Sequence, residues 1–425
     1  MKFKSDKIVI LGLGYVGLPL SKEFAKKFNV VGFDINKKKI NSLNRSLNIK
    51  KIKINKKRGI KFTYEKEDLK NSDIFIITVS TPVNKKKIPD LRNLKNVSIL
   101  IGKILKKNNL VVYESTVYPG LTEEICVPIL EKYSNLKFNK DFFVGYSPER
   151  ISPGDKNDIK NINKVVSGST PETSKYIYKL YKKIIKANLH IASSIKVAEA
   201  SKIVENVQRD VNISFMNEIS IILSKLNINT QEVLEAAKTK WNFLNFTPGL
   251  VGGHCISVDP YYLAYKAKKN NYNPKVVLSG RTINQNMGKY VGKIAIKKIN
   301  QIFKVKKKIK IGIFGLTFKE NIDDTRDSKV FDIIDILSKQ KAFKIYAFDP
   351  FLKKSDLKFR KNIELNSKIN KFDVIILAVP HKKFSKFNFK KVNNILINKK
   401  KSLVMDIKGT ITDKKIKNTF NYWSL

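Results

Sequence analysis

Between Lys7 and Asp34 the chain commits itself to one kind of domain. Lys7–Ile10 is a short apolar run, Gly12-Leu-Gly14-Tyr-Val-Gly17 a glycine turn, Leu18–Phe28 a helical pattern, and Val30–Phe33 a second strand closed by Asp34. Strand, turn, helix, strand and acid at this spacing make a dinucleotide site. The first two glycines let the backbone turn tightly and approach a pyrophosphate; the third lets helix pack on strand. The helix N-terminus then turns its unpaired N–H groups toward the phosphates. Tyr15 and Val16 fall inside the turn and count with the glycines as cofactor-binding candidates. Asp34 is placed to accept from ribose hydroxyls and to repel a 2′-phosphate, which favours NAD over NADP. Lys37, Lys38 and Lys39, just beyond it, soften that preference.

The alternation continues. Strand Asp73–Val79 runs into Thr81-Pro82-Val83-Asn84, a helix covers Leu91–Lys106, and strand Leu110–Tyr113 ends at Glu114-Ser115-Thr116. Strand Phe142–Tyr146 ends at Ser147-Pro148-Glu149-Arg150. Strands alternating with helices imply a doubly wound parallel sheet, whose ligands sit beyond the strand C-termini. Thr81, Pro82, Ser115, Thr116, Glu149 and Arg150 all fall there. Each alone also reads as a cap or turn residue; together, at equivalent strand ends, they outline a site.

From Lys196 to Leu226 the text is helical without Gly or Pro, a rod of roughly 45 Å at 1.5 Å per residue. Lys202 and Asn206, four apart, project from one face of it. Next comes Pro248-Gly-Leu-Val-Gly-Gly-His-Cys-Ile-Ser-Val-Asp-Pro260, three glycines between two prolines carrying one thiol, Cys255, and one carboxylate, Asp259. Such a backbone is built for unusual dihedrals and close approach. Helices follow over Tyr261–Asn270 and Val276–Lys298, the latter with Arg281, and Gln301–Lys308 is a lysine-rich connector. A second α/β unit starts at Lys310–Phe314 and Gly315, with strands Ile345–Phe348, Val374–Val379 and Leu403–Ile407 ending at Asp349, Pro380-His381 and Lys408. Lys319, Arg326 and Lys408 are its candidate phosphate or carboxylate cations. The expected organisation is two Rossmann-like α/β domains, 1–195 and 301–425, joined by a long central helix and a small helical domain, 196–300.

A net charge of +48 formally suggests a polyanion partner. The lysines are scattered through every segment beside abundant Asn and Ile, which reads as compositional drift that still favours anionic substrates; no clustered basic and aromatic readout motif for nucleic acid is visible. Cys126 and Cys255 are no disulfide framework, which fits a reducing cytoplasm. Cys126, among apolar neighbours in Glu123–Glu131, reads as core packing. No run approaches the ~18 apolar residues of a membrane span, and Ile8–Leu20, broken by glycines, is no secretory signal.

Gly12-Leu-Gly-Tyr-Val-Gly17, Ser115-Thr-Val117, Ser147-Pro-Glu-Arg150, Ala198-Glu-Ala-Ser-Lys-Ile-Val-Glu-Asn206, Gly252-Gly-His-Cys-Ile-Ser-Val-Asp259 and Gly315-Leu-Thr-Phe-Lys319 occur in this order. With them the chain resembles the UDP-glucose/GDP-mannose dehydrogenase family from end to end. Ser147–Arg150, Thr239-Lys-Trp-Asn-Phe-Leu244, Val251-Gly-Gly-His254 and Val379-Pro-His381 are similar to its branch acting on UDP-N-acetylhexosamines. Asn245 and Thr247 depart from it, standing where that branch often carries Pro and Arg. The resemblance implies a four-electron oxidation of the sugar C6 alcohol to a carboxylate with NAD, without metal, in a cytoplasmic homodimer serving surface polysaccharide synthesis. UDP-N-acetylglucosamine is the expected substrate, with UDP-glucose and UDP-N-acetylmannosamine as alternatives. It further implies that Cys255 attacks the aldehyde, that Lys202 and Asn206 face the oxyanion, and that Asp259 orients water or relays protons. Glu149 and Thr116 would serve thioester hydrolysis. Arg150, Gly252, Gly253, Arg281, Phe318, Lys319 and Lys408 join Glu149, Lys202 and Asn206 as substrate contacts.

Overall fold

A computed structural model describes residues 7–46, 59–151, 158–253, 256–303, 308–357, 363–366, 368, 371–384, 387–398 and 401–425. Cys255, His254 and part of the lysine-rich connector lie outside them. The chain divides into two compact units, Met1–Glu205 with Tyr261–Asn273, and Asn206–Pro260 with Pro274–Leu425.

In the first unit the strands β1 (Lys7–Leu11), β2 (Asn29–Phe33), β3 (Gly59–Thr63), β4 (Ile74–Ile77), β5 (Leu110–Tyr113), β6 (Phe143–Tyr146), β7 (Lys164–Gly168) and β8 (Leu189–Ile191) form one sheet. Its order is β3-β2-β1-β4-β5-β6-β7-β8. The order reverses beside β1, which opens a crevice at the strand C-termini. Apolar runs buried on both faces, such as Ile74–Ile77 and Leu110–Tyr113, are what a helix-covered parallel sheet demands. Helix α1 (Gly17–Ala25) lays Leu20 and Phe24 on it, and α2 (Pro171–Lys182) adds Ile177, Leu180 and Tyr181 to the same core. β3, β7 and β8 were not anticipated. β7 pairs antiparallel with β6, joining Gly145 to Gly168 and Tyr146 to Ser167.

Helix α3 (Ile195–Lys225) contains the boundary between the units, and α4 (Asp259–Lys269) and α5 (Lys275–Ile302) follow the Cys255 loop. The second unit's sheet comprises β9 (Ile309–Phe314), β10 (Phe343–Phe348), β11 (Glu364–Leu365), β12 (Val374–Leu377), β13 (Leu403–Asp406) and β14 (Asn421–Ser424). It is parallel throughout, in the order β11-β10-β9-β12-β13-β14. Met287, Val291, Ala295 and Ile299 of α5 and Ile333, Ile334 and Leu337 of α6 (Val330–Leu337) join its core.

Candidate active site

The two sheets repeat one local construction, and the differences show which of them receives a dinucleotide. In the first unit the N–H of Gly12, at φ +98°, donates to the Phe33 carbonyl at 2.9 Å. The N–H of Leu13 donates to Asp34 Oδ2 at 3.0 Å, and that of Asn36 to Oδ1 at 3.0 Å. In the second, Gly315, at φ +87°, bonds Phe348 and the N–H of Leu316 donates to Asp349 Oδ2 at 2.7 Å. The likeness ends there. A Cβ on Gly17 would stand 2.0 Å from the Gly12 carbonyl oxygen, so helix α1 needs its glycine, whereas a Cβ on Gly14 would meet nothing within 4 Å. The corresponding positions of the second turn are Thr317 and Glu320. Asp34 is only partly buried, while Asp349 is sealed under the buried His381, whose Nε2 lies 3.1 Å from Asp349 Oδ2. The first turn thus keeps an open cradle beside Gly14 and an accessible acid, which fit a pyrophosphate and a ribose; the second keeps neither.

Asp34 also receives Lys39 Nζ at 2.9 Å. Burial pushes its carboxyl up, but the Asn36 N–H, the Lys39 ammonium and the Leu13 N–H outweigh burial and hold it below the usual range. The anion expected at the ribose is therefore secure. Along the same carboxyl edge, Thr81 Oγ1 donates to the Thr116 carbonyl at 2.7 Å, Tyr262 Oη to that of Thr81 at 3.0 Å, and Ser115 Oγ to that of Val79 at 2.7 Å. The Thr81 and Ser115 hydroxyls thus spend their protons on the backbone and hold Thr116 and its neighbours in register.

Glu149, just beyond β6, is 9% exposed. Its Oε1 accepts the N–H groups of Arg150 and Ile151 at 2.7 and 2.5 Å. Arg150, an expected substrate contact, is turned onto Glu205, with Nε 3.2 Å from Oε2 and Nη2 on Oε1. Lys202 is buried on α3.

In the second unit Asn206 Nδ2 donates to the buried Asp259 Oδ2 at 2.5 Å, and Asn206 Oδ1 accepts from Arg209 Nη1 at 3.0 Å. Two candidate catalytic residues 53 positions apart are thereby joined. The loop before Cys255 lies flat on its neighbours. A Cβ on Gly253, at φ +88°, would stand 2.5 Å from the Phe318 ring, and one on Gly252 2.5 Å from the Asp327 carbonyl oxygen. Asn217 anchors the base of that loop, with Oδ1 accepting the Gly249 N–H at 2.8 Å and Nδ2 donating to the Gly249 carbonyl at 3.0 Å.

The expected cations divide. Leu250, Gly252, Phe318, Lys319, Glu320 and Lys408 line one pocket, where Lys408 pairs with Glu320. Burial alone would raise Glu320, but Lys408 holds it below its ordinary value. Arg326 is turned onto Asp324, with Nη2 2.6 Å from Oδ2. Arg281 departs from its expected place as an open phosphate clamp. It is 1% exposed in the interior of the second unit, where Nη1 donates to Asp210 Oδ1 at 2.5 Å. A charge buried that deeply is retained beside a countercharge, and here the carboxylate comes from α3.

Residues 6–185 match the NAD binding domain of the UDP-glucose/GDP-mannose dehydrogenase family, 196–286 its central domain and 312–413 its UDP binding domain. The chain belongs to that family. It is an NAD-dependent nucleotide-sugar dehydrogenase. This dehydrogenase is 45% identical over 426 residues to UDP-N-acetyl-D-glucosamine 6-dehydrogenase of Pseudomonas aeruginosa, spanning 97% of this chain and 99% of the relative. It is 47% identical to Protein CapL of Staphylococcus aureus, over 98% and 99% of the two chains. Among solved structures it superposes on UDP-D-ManNAc dehydrogenase from Pyrococcus horikoshii with a TM-score of 0.84 at 28% identity, covering 98% of each. Among the described residues of the dehydrogenase, no helix is long and apolar enough to cross a membrane.

Sequence reasoning passed over the polar residues that hold this framework. Asp210, Asn217 and Asn284 link α3 to α5, with Asn284 Nδ2 2.7 Å from Asp210 Oδ1 and Asn217 Nδ2 2.8 Å from Asn284 Oδ1. Glu114, Lys164 and Tyr181 form a buried cluster under Glu149. The signal for the first set was present: Lys202, Asn206, Asp210, Ser214, Asn217 and Ser220 recur every three or four residues. For Lys164 there was none in so lysine-rich a chain.

Proposed function

We propose that this dehydrogenase oxidises the C6 hydroxyl of UDP-N-acetylglucosamine to the uronate. The observation that carries the sugar is 45% identity across 97% of the chain with a UDP-N-acetyl-D-glucosamine 6-dehydrogenase, against 33% with a UDP-N-acetyl-D-mannosamine dehydrogenase of Campylobacter jejuni. The N-acetyl amide adds a donor and an acceptor. A pocket that pairs them leaves buried polar groups unsatisfied when UDP-glucose binds.

Gly12, Gly14, Tyr15, Val16, Gly17 and Asp34 hold the dinucleotide, with Thr81, Pro82, Ser115 and Thr116 along the strand edge. NAD⁺, bound twice in succession, would supply one acceptor for each of the two hydrides that C6 loses. The Cys255 thiolate adds to the aldehyde carbon, which keeps a reactive aldehyde from escaping between the two oxidations. Lys202 and one Asn206 N–H face the resulting oxyanion. The other Asn206 N–H is held by Asp259, so the amide is oriented before the substrate arrives. A water beside Thr116 then gives a proton to Glu149 and adds to the thioester carbonyl, and the Cys255 thiolate leaves. The cations Lys319 and Lys408, with Phe318 and the Gly252–Gly253 backbone, hold the nucleotide part of the substrate. Remote binding energy of that kind positions C6.

We also infer a homodimer through α3, because Phe215 and Ile222 are exposed on it and Leu226 just beyond its end. Light scattering behind gel filtration tests this, and a monomer would refute it.

The deciding experiment compares kcat/KM for UDP-N-acetylglucosamine, its galacto and manno epimers and UDP-glucose, counting NADH per sugar. UDP-N-acetylglucosamine is expected to win, with two NADH formed. A preference for another sugar overturns the substrate, and one NADH overturns the covalent route.

A further inference from the structure

Glu149 is held asymmetrically. Its Oε1 is saturated by the N–H groups of Arg150 and Ile151, while Oε2 is buried and has no hydrogen-bond partner among the described residues. Lys164 Nζ stands 3.8 Å from that Oε2, too far to hydrogen-bond it and close enough to act on its charge. Something keeps the ammonium there. Glu114 Oε2, at the end of β5, accepts from Lys164 Nζ at 2.9 Å, and the Pro148 carbonyl lies 3.3 Å away. Tyr181 of α2 donates its hydroxyl to Glu114 Oε1 and sets its ring 5.2 Å from the ammonium. Burial works against the charge on Lys164, but Glu114 and Glu149 outweigh it and hold its pKa above the usual lysine value. A further cation, Arg150, is turned onto Glu205 of α3 and the Asn163 carbonyl.

A bonded lysine would occupy the lone pair that a general base needs. A lysine retained at 3.8 Å by a second carboxylate supplies its field and leaves the oxygen open. We propose that Lys164 and Glu114, the latter fixed by Tyr181, are positioning residues that hold a positive charge beside Glu149 while leaving Oε2 open to take a proton from the hydrolytic water. This rests on the reading of Glu149 as the base of thioester hydrolysis. In that step one water proton passes to Oε2, the water oxygen bonds to the acyl carbon, and the carbon–sulfur bond breaks to return the Cys255 thiolate.

The test follows the pH dependence of that step in the full-length enzyme. UDP-N-acetylglucosamine and NAD⁺ are mixed with it, and the covalent acyl-enzyme is read by intact-protein mass spectrometry after acid quench. Lys164→Met removes the field, so the acid limb of hydrolysis is expected to move up by about one to three pH units, with acyl-enzyme accumulating at neutral pH. Glu114→Gln removes the competing carboxylate, keeps a hydrogen-bond acceptor for Lys164, and is expected to move the limb down. Opposite displacements with the first NADH burst unchanged support the array. Limbs that stay in place, or both move the same way, overturn it while leaving Glu149 its role, as does a folded Glu114→Gln enzyme with an unmoved limb if Lys164→Met fails to fold. A Glu149→Gln variant that hydrolyses normally overturns the reading of Glu149, and the array with it.

Discussion

We assign the two cysteines different roles. Cys126 is fully buried, and burial pushes its thiol up to about 12. At neutral pH it holds almost no thiolate, and thiolate is the form that reacts. Cys255 stands two residues after a glycine whose backbone has adopted φ +88°, and its proposed role requires an accessible, nucleophilic thiol. Iodoacetamide at pH 7.5 is therefore expected to add one group per folded chain, at Cys255, with loss of activity in step. UDP-N-acetylglucosamine should slow the addition. Peptide mapping reads the position, and labelling at Cys126 in the folded enzyme would contradict both assignments. The same scale shows where residue-by-residue reading of the sequence stops. It names Asn206 and Asp259 separately, but their hydrogen bond depends on how α3 meets the start of α4, which no local spacing encodes.

At the scale of elements, α3 is amphipathic in an unusual sense. Its polar row of Asp210, Ser214, Asn217 and Ser220 is buried, while Phe215 and Ile222 are exposed. The absence of Gly and Pro from Lys196 to Leu226 marks this helix to within a residue at each end, because helix breakers are a property of the local sequence. Which face turns inward is not local, since a polar face can be buried wherever backbone groups such as those of Gly249 await partners. The strands with continuous apolar runs were legible for the same reason as the helix. β3, β7 and β8 escaped because Gly59–Thr63, Lys164–Gly168 and Leu189–Ile191 are short and mix lysine, histidine, serine or glycine with their apolar residues. Near its start, α3 carries another buried acid, Glu199, whose carboxylate accepts the N–H groups of Gly120 and Thr122. Burial outweighs those bonds and pushes its carboxyl up from 4.5 to about 7. The folded protein therefore binds a proton that the unfolded chain releases between these values. Stability from this group is present below pH 4.5 and is lost as pH rises toward 7, by roughly 3 kcal/mol. Thermal melts of the native enzyme and of Glu199→Gln between pH 4.5 and 7.5 should show a shallower decline in the variant. Parallel curves would mean that Glu199 is ionised throughout.

For the whole molecule, 84 lysines and arginines face 36 acids, and both ligands of the reaction are anions. Charge on this scale raises the local concentration of an anion and its rate of encounter without choosing where it docks. Docking is left to the few groups we assign to a site, such as the N–H groups beside Gly14 or the Lys319 and Lys408 side chains. The two contributions respond differently to salt. Encounter through the general field is screened over about 10 Å at 0.1 M ionic strength and about 3 Å at 1 M, whereas buried pairs such as Lys164 with Glu114 are screened far less. kcat reports events after both ligands are bound, while kcat/KM includes their capture. Raising NaCl from 20 to about 500 mM is therefore expected to lower kcat/KM for both NAD⁺ and the UDP-sugar by roughly three- to tenfold, and to change kcat by less than about twofold. A basic face built to hold a polyanion behaves otherwise. Binding of a DNA fragment to it would weaken with a log–log slope set by the number of phosphates neutralised, and the same DNA would inhibit at low salt. Lysines distributed through every segment predict weak, shallow inhibition instead. A kcat that collapsed with salt while kcat/KM held would place the controlling charges inside the reacting site, and would contradict the view of this lysine excess as a general field.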